Sequence, residues 1–161
     1  AYYGAMWQLF FAPFVILSGV LQSYFEPSLY SLYNLNKNKV FFIKVFIKFF
    51  ILLSFFTIFY LSIRDNISGY LLPNEYNSYS YISIFFIIMG FMFCLLNYLK
   101  VYFKAKELLK YLFKIETSAI ILGIILNYFL INYYGILGLL YGLLIYQIFL
   151  LLNISIKTLS D

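Results

Sequence analysis

Apolar stretches long enough to cross a membrane recur five times along this 161-residue chain, at 6–32, 41–63, 81–103, 115–133 and 135–156. A helix needs about 20 such residues to traverse the ~30 Å hydrocarbon core of a bilayer. Some 65% of the residues are hydrophobic and only 11% are charged, against roughly a quarter charged in an ordinary soluble domain. A secretory signal would be confined to one end, whereas these stretches continue to the C-terminus. The pattern predicts an all-α polytopic membrane helix bundle with about five transmembrane helices.

The gaps between the stretches orient that bundle. Ten of the eleven basic side chains fall in alternate gaps: Lys37, Lys39, Lys44 and Lys48 after the first stretch, Lys100, Lys104, Lys106, Lys110 and Lys114 after the third, and Lys157 after the last. Only Arg64 lies in an opposite gap. Cytoplasmic loops hold excess Lys and Arg, so 34–40, 104–114 and the C-terminus read as cytoplasmic, and 64–80 and 132–134 as external. The net charge of +5 therefore follows from topology and does not call for a nucleic-acid partner. The lone cysteine, Cys94, cannot form an intrachain disulfide, and with no histidine the chain lacks an imidazole base and the common zinc ligands. No metal or cofactor is expected, and no enzymatic activity.

Local signals refine the picture. Pro13, Gly19 and Pro27 predict an irregular first span, because each proline removes a backbone donor. Lys44 and Lys48 stand one helical turn apart, either snorkelling to the interface or touching substrate. Arg64–Tyr76 reads as the main external loop. Lys104–Lys114 reads as a short interfacial helix. Tyrosine pairs at the predicted boundaries, including Tyr98 and Tyr102, and Tyr133 and Tyr134, suit an aromatic belt. Glu116, Thr117 and Ser118 suit the start of the fourth helix and its dipole, with a part in transport as the other reading of Glu116. Asn132-Tyr133-Tyr134-Gly135 permits only a tight hairpin, after which Gly138 and Gly142 form a small-xxx-small pair for close helix approach.

Glu26, directly before Pro27 in an apolar helix, has two readings. It faces Lys37 or Lys39 at the interface, or it carries a coupling proton. Gln8, Gln22, Asn97, Asn127 and Gln147 are uncharged polar groups within or near spans, able to bond a sugar or another helix. An odd number of spans with the C-terminus inside places residue 1 outside, and Ala1-Tyr2-Tyr3-Gly4 has no initiator methionine. The expectation is a single transmembrane domain, residues 1–161, that forms the C-terminal part of a longer protein.

Several patterns, in order and over nearly the whole chain, resemble the C-terminal half of the polysaccharide flippases of the multidrug/oligosaccharidyl-lipid/polysaccharide exporter superfamily. Tyr2-Tyr3-Gly4-Ala5-Met6-Trp7-Gln8-Leu9 looks like the start of the eighth helix of those proteins, and Glu26-Pro27-Ser28-Leu29-Tyr30 is similar to its proline-containing cytoplasmic end. Leu71-Leu72-Pro73-Asn74-Glu75-Tyr76 sits where the family has an external loop, with Asn74 in place of a glycine. Asn127–Gly138 resembles the family's N-x-x-L-I-P-x-Y-G-x-x-G hairpin, with Asn132 in place of proline.

The resemblance implies helices eight to twelve, one lobe of an inverted-V transporter in a bacterial inner (cytoplasmic) membrane. The implied cargo is an undecaprenyl-diphosphate-linked oligosaccharide, with an N-terminal lobe and polysaccharide assembly proteins as partners. Gln8, Gln22, Lys44, Lys48 and Asn127 are the candidate substrate contacts and Glu26 the candidate proton carrier. Since the spans hold few cations, most phosphate-binding charge is expected from the other lobe. The alternatives are a cation-coupled multidrug exporter of the same fold, or a membrane-embedded glycan polymerase or acyltransferase using Arg64, Asp65 and Glu75.

Overall fold

The computed structural model describes residues 2–33, 38–73 and 81–160. They form six helices: α1 (Tyr2–Phe10), α2 (Ala12–Tyr33), α3 (Asn38–Leu71), α4 (Ile82–Ala105), α5 (Leu109–Tyr134) and α6 (Ile136–Ser160). Five spans result, Tyr3–Ser28, Phe42–Leu71, Ile82–Ala105, Leu109–Tyr134 and Ile136–Thr158, each long and apolar enough to cross a membrane. The chain is an all-α polytopic bundle, as its apolar repeats require. Asn34–Lys37 and Asn74–Ser80 lie outside the described residues, as do the side chains of Tyr30, Tyr33 and Lys39.

The first span is irregular where its sequence demands it. A turn at Phe11 separates α1 from α2, and Pro13 stands at the second position of α2, where a missing N–H costs little. That missing donor would otherwise have met the Leu9 carbonyl four residues back. The Tyr60 hydroxyl of α3 donates to this carbonyl instead, so a proline defect becomes a tie between two helices. Pro27 sits inside α2 without ending it.

Three boundaries differ from the sequence expectation. First, Arg64–Leu71 is not loop: α3 continues to Leu71. Ser68 is buried and Ile67 packs against the core, and Leu72 N–H still donates to the Ser68 carbonyl at 3.0 Å. In a bilayer this continued backbone bonding outweighs the ~1 kcal/mol propensity cost of Gly69.

Second, there is no separate interfacial helix at 104–114. α4 runs to Ala105 and ends in a Schellman closure, with Leu108 N–H donating to the Phe103 carbonyl at 2.9 Å and Glu107 N–H to the Lys104 carbonyl at 3.1 Å. Glu107 takes the left-handed position at φ 56°, and α5 starts two residues later. Third, Glu116 is therefore no helix cap. It lies two turns inside α5, whose start at Leu109 carries no side-chain cap.

α4 is the axis of the bundle. Its most apolar stretch is 61% buried against 17% for that of α5, and α1, α2, α3 and α6 all pack on it. Tyr98 and Tyr102 of α4 consequently belong to the core and not to an aromatic belt: the Tyr98 hydroxyl donates to the Phe42 carbonyl at 3.2 Å, and both rings pack on Phe42. Tyr133 and Tyr134 are exposed at the end of α5, where a belt would place them.

α5 and α6 form a hairpin that turns on Gly135 alone, at φ 58°. The glycine pair of α6 makes this close contact possible. A Cβ at Gly138 would overlap the Leu130 carbonyl, and one at Gly142 would overlap the Asn127 carboxamide oxygen.

Candidate functional site

Charged side chains are costly in a membrane-spanning helix unless they are paired. Asn97, Lys100 and Lys104 follow one another at spacings of three and four, which aligns them on one face of α4. α2 and α5 flank that face, each packing on α4 and hardly on one another. Each flanking helix supplies a carboxylate. Lys100 Nζ lies 2.6 Å from Glu116 Oε1 of α5, and Lys104 Nζ lies 3.7 Å from Glu26 Oε1 of α2. Farther in, Asn97 Nδ2 donates to Ser18 Oγ of α2 at 2.9 Å.

Ser18, Gln22 and Glu26 recur every four residues along α2, so the polar strip is matched from both helices. Beside it the Cys94 thiol donates to the Phe14 carbonyl at 3.2 Å, which makes this cysteine a buried packing residue. The four charged side chains of the strip remain 25–39% exposed. The pairs are therefore reachable from the cleft between α2 and α5. Lys100 lies about 7 Å of helix rise from the end of α4, and Glu116 about 10 Å from the start of α5, so both sit at the edge of the hydrocarbon slab.

The structure thus brings Glu26 into this site, places Gln22 in a small pocket with Ser18, Phe25, Phe49 and Tyr98 among α2, α3 and α4, and leaves the other sequence candidates elsewhere. Glu26 meets Lys104, whereas Lys37 and the side chain of Lys39 lie outside the described residues. Lys44 and Lys48 are exposed on α3 and Gln8 is exposed on α1. Asn127 is held between α5 and α6, facing Gly142. Its carboxamide oxygen, like that of Gln147, is buried without a hydrogen-bond partner among the described residues.

Lys100, Lys104 and Glu116 were not among the residues that the sequence singled out as contacts, although a signal for them existed. Lys100 and Lys104 stand one turn apart just as Lys44 and Lys48 do. A glutamate seven residues inside an apolar helix requires a cation opposite it. The misplaced start of α5 hid that requirement by turning Glu116 into a cap.

Fold and site together define a multi-pass membrane protein with a polar, ion-paired cleft on one side of its central helix. Compared with family models, with curated proteins and with solved structures, the chain matches none.

Proposed function

We propose that the chain is one lobe of a membrane transporter of the multidrug/oligosaccharidyl-lipid/polysaccharide exporter superfamily, and that it moves an undecaprenyl-diphosphate-linked oligosaccharide from the inner to the outer leaflet of a bacterial cytoplasmic membrane. The observation that carries this reading is the cleft between α2 and α5, where Lys100 and Lys104 are each held by a carboxylate. A diphosphate and its sugars cannot cross an apolar slab without polar groups to replace water. Two partly exposed lysines give phosphate oxygens charge-assisted partners, and Glu116 and Glu26 keep those lysines compensated when the cleft is empty. Asn97, anchored on the buried Ser18, extends the strip with a neutral carboxamide suited to sugar hydroxyls.

The ordered sequence resemblance supports the same reading, and the lysine asymmetry between gaps supports a cytoplasmic C-terminus. On this view the cleft contributes cations of its own, so the other lobe need not supply most of them. Glu26 keeps its place as the candidate proton carrier, because protonating it would release Lys104 toward cargo.

The test is surface-glycan display in a strain lacking its own flippase, with drug sensitivity measured in parallel. The native gene product should restore display, and Lys100→Met with Lys104→Met should abolish it while membrane levels stay normal. Drug protection without glycan display would establish the multidrug exporter. Display unaffected by loss of both lysines would sink the cargo role of the cleft. Glu26→Gln should remove any pH dependence of export; an unchanged pH profile would exclude Glu26 as proton carrier.

A further inference from the structure

A second cleft lies on the other side of α4. α3 and α6 both pack on α4 but hardly on each other, and at the end where α4 and α6 terminate they leave a cavity of about 170 Å³. Phe42 and Phe46 of α3, Leu99 and Tyr102 of α4, and Ser155 and Thr158 of α6 line it. The walls are almost wholly apolar, and a cation stands against one of the lining rings. Lys106 follows Tyr102 by one turn, and its ammonium lies 4.7 Å from the centre of the Tyr102 ring. That ring is 4% exposed, and its hydroxyl is buried with no hydrogen-bond partner among the described residues. The Thr158 hydroxyl donates to the Ile154 carbonyl, which leaves its oxygen free to accept.

The geometry points to a bound anionic diacyl phospholipid of the surrounding leaflet. One acyl chain fills the cleft between α3 and α6, and the phosphodiester rests on Lys106. Three features select this occupant. The cavity opens between membrane-spanning helices, so lipid is the medium at its door. Its lining matches hydrocarbon, and its position near the helix ends puts the mouth at headgroup depth, where a lysine attracts anionic lipid. Lys106, held beside the Tyr102 wall, complements one phosphodiester charge. The cation–π contact holds the ammonium on the Tyr102 ring of the cleft wall instead of letting it swing into water. This inference needs only the multi-pass fold and stands apart from any transported cargo.

Native mass spectrometry of the full chain, delipidated and titrated with phosphatidylglycerol or phosphatidylcholine, tests it. One phosphatidylglycerol should be retained about fivefold more strongly than phosphatidylcholine, the factor expected for one lysine near a lipid phosphate. Lys106→Gln should bring that preference close to unity, while Lys110→Gln, at an exposed lysine of α5, should leave it intact. Thr158→Phe, which narrows the cleft, should weaken retention of both lipids by a similar factor. An unchanged preference in Lys106→Gln, or an equal loss in Lys110→Gln, would overturn the site. Displacement of phosphatidylglycerol by undecaprenyl phosphate at equal concentration would overturn the choice of occupant.

Discussion

The two clefts beside α4 share a plan and differ in chemistry. Each is formed because two helices pack on α4 and hardly on each other, and each lies toward the end where α4 terminates. The cleft between α2 and α5 holds the ion pairs Lys100–Glu116 and Lys104–Glu26 with the Asn97–Ser18 hydrogen bond. The cleft between α3 and α6 is lined by Phe42, Phe46, Leu99 and Tyr102, with Lys106 over the Tyr102 ring. One helix therefore presents a polar face to one side and an apolar face to the other. Inside a bilayer the apolar cleft can be filled by lipid at little cost, while the polar one has to be compensated by protein groups or by cargo. The difference teaches where function that handles charge can reside in a chain as apolar as this one.

The largest effect is expected from a change that acts on both clefts together, since α5 walls one and α6 the other. Gly138→Val should destabilise the protein by about 3 kcal/mol or more, because a Cβ there overlaps the Leu130 carbonyl and backbone cannot yield as a side chain does. Reversible unfolding in detergent would measure it, and tolerance of valine would mean that the α5–α6 contact is looser than the geometry requires. A smaller and more selective effect is expected at the polar cleft. Glu116→Gln should cost about 2 kcal/mol by leaving Lys100 uncompensated, and the double variant with Lys100→Met should recover most of that loss. Additive losses in the double variant would show that the pair is not coupled.

The outer pair should matter less. At 3.7 Å and with more of its side-chain surface exposed, Lys104–Glu26 should contribute under ~1 kcal/mol, so Glu26→Gln should unfold close to wild type even if it alters export. The smallest effect belongs to the apolar cleft. Tyr102→Phe removes a hydroxyl that is buried without a partner among the described residues, so stability should hold or rise by up to ~1 kcal/mol. A marked loss would place a hydrogen-bonded group on that hydroxyl and sharpen the contrast between the clefts.

Much of this was legible in the chain. Five apolar stretches set the class and the number of spans, Pro13 the break near the start of the first span, and Gly138 and Gly142 the close helix pair. Boundaries were less legible. Asn66 and Gly69 imitate a loop, and Glu116-Thr117-Ser118 imitates a helix start, yet both segments lie inside helices because a bilayer penalises open backbone more than poor propensity. The second of these concealed the site. With α5 starting at Leu109, Glu116 becomes a carboxylate inside a spanning helix near the membrane edge, and the lysine that answers it comes from another helix.

By itself, then, the sequence determined that the chain is an all-α multi-pass membrane protein, because backbone polar groups in lipid can be satisfied only within helices and the apolar length of each span is written locally. Which charges meet was decided by tertiary structure alone. Lys100 and Glu116, Lys104 and Glu26, and Asn97 and Ser18 are brought together by how α2 and α5 lean on α4. That choice depends on the shapes of all the faces at once, through contacts such as Phe14 against Gly90 and Tyr98 against Phe49, and no local pattern encodes it.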